Sequence, residues 1–312
     1  MAVACALLLA ALAAAGCGLG PGADVGQVRL TVTREYGAVP VLERSVGAKE
    51  SDTVMRLLEA EADVATRYGG GFVHSVDGVA EAERGGDPYD WYFYVDGVES
   101  PVGAAEVDVK GGERVWWDYR DWSATNHVPA VVGSWPAPFT DGIEGKSRPV
   151  VVECFPLRGS FVGSGTTKEP RNGGEACEVT RAALESEGVK LASGSPKGAI
   201  RVLVGTWEQL RRDPAAHLIE EGPAESGVYA DFKGSELVAL DQGGGESERL
   251  GPDAGLVAAT SRYGGPPVWV VTGGTEEAVR AAAESLDAEH LRDHYAVAIE
   301  GGKVTPLPVE GR

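Results

Sequence analysis

The stretch at residues 90–120 constrains this chain more than any other, because it holds two aromatic runs bounded by turn signals. Residues 91–94 are all aromatic and lead into Asp96-Gly97. Gly111-Gly112 precedes the second run, at residues 114–119. Aromatic and β-branched runs bounded by such pairs favour adjacent β-strands. The sequence therefore predicts a sheet with aromatic side chains on both of its faces.

Alternation along a strand assigns these aromatic residues to faces. We predict that Trp91 and Phe93 belong to a core together with Trp116. The opposite set is predicted to line a surface that faces a ligand or a neighbouring domain: Tyr92, Tyr94, Trp117 and Tyr119. Flat aromatic rings on an uncovered sheet face can stack on planar ligands. The alternative is that these rings are core as well.

Length and charge limit the classes of function. The 312 residues suggest two domains at about 150 residues each, and 43% hydrophobic with 24% charged residues is ordinary for a globular protein. The net charge is −19. Without a basic stripe, nucleic acid is not an expected partner. An acidic surface also disfavours docking on anionic lipid.

The first residues have the pattern of an export signal. Residues 3–15 are apolar and end in small residues, which is too short to span a bilayer comfortably. The string from Ala13 to Cys17 resembles a bacterial lipoprotein box. That resemblance implies that residues 1–16 are a removed signal, that Cys17 carries the lipid, and that the protein is extracytoplasmic and anchored to the cell membrane. A plain secretory signal or a membrane-anchoring helix is the alternative, since no basic residue precedes the run.

The remaining cysteines are consistent with export. With Cys5 removed and Cys17 lipidated, Cys154 and Cys177 form an even pair in an oxidising compartment. We predict that they form a disulfide. Two buried, unbonded thiols are the alternative.

The first part of the mature chain is predicted to be a β-grasp-like α+β domain. After a tether at residues 17–26, polar and apolar residues alternate at 27–34 and 39–46, which predicts two strands. A helix is expected to run from the Ser51-Asp52 cap to about Arg67. A strand at 72–76 and the two aromatic strands follow.

These motifs, in this order, resemble the transcobalamin C-terminal-like β-domain over residues 27–122. The matching segments are GFVHSVDG (71–78), YDWYFYVDG (89–97), VGA (102–104) and GERVWWDY (112–119). In cobalamin carriers this domain closes over cobalamin against an α-helical barrel. This chain has no such barrel, so the resemblance implies a small-ligand or partner-binding module, with cobalamin among the ligands to consider.

The rest of the chain is predicted to be a linker at 123–148 and a three-layer α/β domain at 149–312. Strands are expected at 150–155, 200–204 and 268–272, with helices at 175–187, 255–261 and 276–286. A capping-box spacing opens a helix at Thr206, and Thr275 is expected to cap the helix at 276–286. The sequence suggests no family for this half.

Candidate chemistry in the second half is sparse. Gly205-Thr206 and residues 273–275 lie where strands give way to helices, which is the usual ligand crevice of open α/β sheets, although plain turn chemistry explains them equally. His290 and His294 have helical spacing but lack the glutamate of a zinc-protease motif. We therefore predict no metal site, no catalytic residues and no certain cofactor.

The function predicted from these features is that of a lipid-anchored extracytoplasmic binding protein. Its partner would be a small molecule, such as a corrinoid-like ligand, or another envelope protein. Two alternatives remain at this stage. One is an envelope-acting hydrolase in the α/β domain with the first domain as its recognition module, and the other is a structural surface module.

Overall fold

The computed structural model describes residues 22–80, 83–84, 87–155 and 174–311 of the 312. The protein is a mixed α+β structure made mostly of sheet. None of the helices in this described part is long and apolar enough to cross a membrane. The predicted signal and its lipidated Cys17 lie outside the described residues, so they stay predictions.

We call the described residues up to 122 the first region and those from 149 onward the second region. The larger sheet of the first region has the strand order β2-β1-β9-β7-β6, with the short β8 pairing with β7. Its central pair, β1 and β9, is parallel, and β2, β7, β6 and β8 pair antiparallel to their neighbours. The strands are β1 Asp24–Arg34, β2 Val39–Lys49, β6 Glu83–Arg84, β7 Asp87–Val95, β8 Val98–Glu99 and β9 Arg114–Asp121. β1 begins inside the stretch predicted to be a tether.

One helix, α1 (Val54–Glu61), buries Val54, Leu57 and Leu58 against this sheet. Its N-cap is Thr53, whose hydroxyl accepts a hydrogen bond from the amide of Arg56. A three-stranded sheet follows it, formed by β3 (Val64–Arg67), β4 (Phe72–Val76) and β5 (Val79–Ala80).

The prediction that this helix continues to Arg67 is wrong. The helix ends at Glu61, and residues 64–67 pair antiparallel with β4. Val64 and Thr66 are β-branched residues that suit a strand. The amide of Asp63 donates to the carboxylate of Asp77, which ties the start of β3 to the end of β4.

The second region has a six-stranded sheet in the order β10-β11-β16-β15-β17-β18. β10, β11 and β16 are parallel, and the pairs from β16 onward are antiparallel. The strands are β10 Val150–Cys154, β11 Ile200–Val204, β15 Gly255–Thr260, β16 Val268–Gly273, β17 Ala296–Glu300 and β18 Lys303–Leu307.

The predicted helix at residues 255–261 is wrong, because this segment is strand β15. All six of its residues are buried between β16 and β17. A short run of small apolar residues does not distinguish a buried strand from a helix. Gly255 is required where the strand meets a helix, since an added Cβ would lie 2.4 Å from the carbonyl oxygen of Ala278.

Helices and a small sheet cover the two faces of this second sheet. The long helices α2 (Gly174–Ser186) and α5 (Glu276–Glu284) pack together on one face. The other face packs under the antiparallel strands β12 to β14. The remaining elements are α3 Trp207–Leu210, α4 Pro223–Ser226, α6 Ala288–Leu291, β12 Ala230–Lys233, β13 Glu236–Leu240 and β14 Glu246–Gly251.

Three predicted local features of the second region are confirmed. The capping box at Thr206 forms with Gln209, and the hydroxyl of Thr275 caps α5 by accepting from the amide of Ala278. Cys154 at the end of β10 and Cys177 in α2 form the predicted disulfide, with their Cα atoms 6.0 Å apart. The alternative of two unbonded thiols is therefore wrong.

Candidate functional site

The register between β7 and β9 decides which aromatic residues share a face. Trp91 lies opposite Tyr119, and Phe93 lies opposite Trp117. Directly opposed residues project to the same side of a sheet. We call these four residues the helix face, because they pack with the buried side chains of α1. The ring centroids of Phe93 and Trp117 are 4.9 Å apart.

The same register sends the alternate residues of both strands to the other side. We call this set the network face: Tyr92, Tyr94, Trp116, Asp118 and Arg120. The predicted grouping of Trp117 and Tyr119 with Tyr92 and Tyr94 is therefore wrong, and so is the grouping of Trp116 with Trp91 and Phe93. The predicted binding set is divided between the two faces of one sheet.

Asp118 is the polar centre of the network face and is fully buried. Its carboxylate accepts hydrogen bonds from the hydroxyl of Thr33 at 2.5 Å, the amides of Tyr36 and Gly37 at 2.9 and 3.1 Å, and the hydroxyl of Tyr295 at 3.1 Å. Burial raises the pKa of Asp118, and these hydrogen bonds act against that rise. The carboxylate thus joins β1, β9 and the second region.

Arg120 is also fully buried. Its guanidinium donates to the carbonyl oxygens of Thr125 at 2.9 Å and Asp121 at 3.2 Å. The guanidinium lies 3.7 Å from the centroid of the Tyr92 ring, which is a close cation–π contact. Tyr92 is the only one of the four predicted binding residues that is not fully buried, and the guanidinium covers one side of its ring.

Tyrosines from the second region close the network face. The hydroxyls of Tyr36 and Tyr229 are 2.8 Å apart, and the Tyr36 hydroxyl also donates to the carbonyl of Asp121 at 2.7 Å. The ring of Tyr295 packs edge-on against Trp116 and Tyr94, at 5.4 and 5.6 Å. Burial raises the pKa of Tyr92 to about 12. The network face is therefore covered by Tyr229 and Tyr295 of the second region. Ligand binding at this face stays a prediction.

A groove of about 280 Å³ lies beside the turn between β7 and β8. Its apolar lining comes from β7, β8, the loop that follows β8 and the linker: Val95, Val98, Pro101, Val102, Val107 and Ile143. Val102 is 45% exposed, so its side chain is accessible to a ligand from solvent. Small-molecule sites are typically concave and apolar, with a few convergent polar groups.

Carboxylates supply most of the polar groups of this groove. Five acidic side chains line it, and Lys110 is its one basic side chain. The ammonium of Lys110 donates to the carbonyl of Glu144 at 2.7 Å, and Glu99 forms an ion pair with His127. Glu113 is only 4% exposed, and its carboxylate accepts from the amide of Lys110 at 2.7 Å.

Sequence reasoning missed this groove. Its members come from three separated segments, and none of them stands out in the sequence as a ligand-binding motif. One available signal was the run at residues 106–110, in which acidic residues alternate with valines before a lysine. That alternation indicates an exposed acidic side beside an apolar one.

The crevice predicted at the strand ends of the second region is small. A cavity of about 120 Å³ lies there, lined by Gly205, by Glu175 of α2 and by Glu276, Glu277 and Arg280 of α5. Its carboxylates surround the start of α5, where an anion would be repelled. Thr206 and Thr275 serve as helix caps.

The two histidines of the predicted helical pair have separate environments. The Nδ1 atom of His290 lies 2.7 Å from the carboxylate of Asp287, while burial lowers the pKa of His294. Within the described residues, no three His, Cys, Asp or Glu side chains form a group that could hold a metal ion.

Comparison with known proteins assigns only part of the chain. Residues 51–121 match the model of a family described as a domain of unknown function (DUF4430), and no curated protein matches the chain. A solved structure from Ruminococcus gnavus, provisionally described as a metal-binding protein, is 16% identical. It aligns over 31% of this chain and 97% of its own, with a TM-score of 0.24. A similarity at that level supports no statement about a ligand of this protein.

Proposed function

We propose that this protein is an exported binding protein that takes a small organic molecule in the groove beside β8. The observation that supports this is the groove itself, which combines a valine-rich lining with several carboxylates. Most of its lining, apart from Ile143 and Glu144, lies in the segment that matches the DUF4430 family. The network face, by contrast, is already covered by the second region.

We propose further that the first region is a β-grasp-like module related to the cobalamin-carrier β-domains. The parallel pairing of the first and last long strands, with one helix on the sheet, supports this proposal. A three-layer arrangement of the second region is proposed on the same basis, from the layers on the two faces of its sheet.

Export and lipid attachment through Cys17 are part of the same proposal. The disulfide supports export, because such bonds persist in oxidising compartments outside the cytoplasm. Replacement Cys17→Ser is expected to abolish incorporation of labelled fatty acid and to release the protein from the membrane fraction. Equal membrane recovery of the two forms would contradict lipid anchoring.

Ligand binding can be tested by thermal shift of the purified full chain against a library of small organic molecules, corrinoids included. A ligand that binds only the folded state raises the melting temperature in proportion to the logarithm of its concentration over its Kd. Val102→Trp should abolish the shift, because the exposed side chain can place a large ring across the groove.

Ala60→Trp is the matched control, since Ala60 is an exposed position on α1 outside the groove lining. It should leave the shift unchanged. Ile143→Trp, on the linker side of the groove, provides a second block. A ligand whose shift survives both groove substitutions would bind elsewhere, and that result would overturn the proposed site.

A further inference from the structure

The carboxylates of the groove differ in whether a neighbouring side chain forms an ion pair or hydrogen bond with them. Glu99 is paired with His127, whereas no side chain within the described residues forms an ion pair or hydrogen bond with the carboxylates of Glu106 or Asp108. Both residues are exposed at the edge of the groove. Two charges at the rim are therefore available to a ligand.

Glu113 is the most deeply buried of the five acidic residues that line the groove. Its side chain is buried beside the groove, and its hydrogen-bond partner is a backbone amide. Within the described residues, no Lys or Arg side chain forms an ion pair with it. Burial raises the pKa of Glu113, because the surroundings disfavour its charged form. A cation bound in the groove would stabilise that charge.

Lys110 fills this role only in part, because its charge lowers the pKa of Glu113 by less than burial raises it. Its ammonium is held 2.7 Å from the carbonyl oxygen of Glu144, and its carbon chain lies against Gly145. The apolar side chains between the carboxylates, such as Val98 and Val107, suit a hydrocarbon body. The groove thus presents both apolar side chains and negatively charged carboxylates to a single ligand.

We infer that the ligand of this groove is an organic cation, a molecule with an ammonium or guanidinium group on an apolar body. The inference rests on the proposed function, since it specifies the chemistry of the same site. A positive headgroup would lie near Glu106, Asp108 and Glu113, and the apolar body would contact the valines.

Three probes of equal chain length separate charge from apolar contact: hexylammonium, hexanol and hexanoate. Near pH 7.5 the first is cationic, the second neutral and the third anionic. In titrations of the full chain monitored by NMR, hexylammonium should bind most tightly and hexanoate least. Raising NaCl from about 50 mM to about 500 mM should weaken hexylammonium and leave hexanol unchanged.

The double variant Glu106→Gln with Asp108→Asn should weaken hexylammonium roughly fivefold, in the range expected for two exposed charges, and leave hexanol unaffected. Glu113→Gln should weaken it roughly tenfold or more, because its charge is desolvated. A control with the same change in net charge is Glu185→Gln with Glu248→Gln, at exposed positions of the second region. It should bind hexylammonium like the native chain.

The possible results separate the two proposals. If all three probes bind equally and Val102→Trp blocks them, the groove is a binding site without charge selection, so this inference fails and the proposed function stands. Tighter binding of hexanoate, or equal weakening by the control variant, would also overturn it. If no probe binds the folded chain at about 10 mM, this inference fails, while the proposed function is still decided by the library screen with Val102→Trp.

Discussion

The two faces of the β7–β9 pair are built from neighbouring residues of the same strands but are buried in different ways. The helix face is closed by α1 and other apolar side chains of the first region. The network face carries Asp118 and Arg120, both fully buried, and is closed by Tyr229 and Tyr295 of the second region. The difference shows that one strand pair can provide a domain core on one side and the joint between two regions on the other.

This contrast changes what the aromatic run means for function. Aromatic residues on both faces indicated that something outside the first sheet covers one of them. The cover is the protein itself, and the hydrogen bonds from Tyr295 to Asp118 and between Tyr36 and Tyr229 fix it in place. The candidate binding site therefore lies at the edge of this sheet and not on its aromatic face.

The largest predicted effect is on the network face. Asp118→Ala should lower the free energy of unfolding by about 3–5 kcal/mol, because the hydroxyls of Thr33 and Tyr295 and two backbone amides lose a buried acceptor. Urea denaturation measures this loss. Asp118→Asn keeps one acceptor oxygen and should cost less. A loss below about 1 kcal/mol for the alanine variant would mean that the network contributes little.

The second prediction concerns the pH dependence of stability and the turn that follows β7. Asp96 lies in the turn after β7, accepts from the amide of Arg114 at 2.8 Å, and has its pKa raised to about 7 by burial, with Glu113 and Asp141 adding to the rise and Arg114 opposing it. A folded-state pKa above the unfolded value means that the folded state binds more protons. Stability should therefore fall as pH rises between about 4 and 7, by up to about 1.4 kcal/mol per pH unit.

Asp96→Asn is the variant that checks this. It cannot titrate, and asparagine tolerates the positive φ of 50° at this position. The difference in unfolding free energy between native and variant should change across that pH range and level off above pH 7. A constant difference from pH 4 to pH 8 would show that burial does not raise the pKa of Asp96.

A third prediction compares two adjacent tryptophans on opposite faces. The indole nitrogen of Trp116 donates to the hydroxyl of Thr33 at 2.8 Å, whereas that of Trp117 has no partner among the described residues. Trp116→Phe should therefore cost about 1 kcal/mol more than Trp117→Phe, because only the first loses a hydrogen bond. Equal costs in urea denaturation would remove this distinction between the faces.

The smallest predicted effect is a coupling across the joint. Tyr36→Phe and Tyr229→Phe each remove one side of the hydroxyl pair, and Tyr36→Phe also leaves the carbonyl of Asp121 with only its hydrogen bond from Arg120. A double-mutant cycle should give a coupling of about 0.5 kcal/mol, the low end for a hydrogen bond, with Tyr36→Phe the costlier single change. Additive costs within error would mean that the two hydroxyls do not interact in solution.

Local sequence patterns predicted much of the fold because they depend on nearby residues. The strand at Ile200–Val204, the capping box at Thr206 and the cap at Thr275 each follow from short patterns. The disulfide followed from the count of cysteines. The strand at Gly255–Thr260 did not, because its small residues have no clear period and its burial comes from neighbouring strands.

Long-range geometry could not be obtained in this way. Whether Trp116 or Trp117 shares a face with Tyr92 depends on the register of β7 against β9, which is set across an intervening segment of eighteen residues. A shift of one residue exchanges the faces. The groove is harder still to predict, because Val98, Val107 and Ile143 come together only through the fold.

The disulfide has a practical consequence for anyone handling this protein. Cys154 ends a strand and Cys177 lies in the helix that comes next in the described chain, so the bond bridges every peptide link between them. A protease cut at any of those links would leave two fragments that migrate as one species on a gel until a reductant separates them. Integrity of a preparation should accordingly be judged on reduced samples.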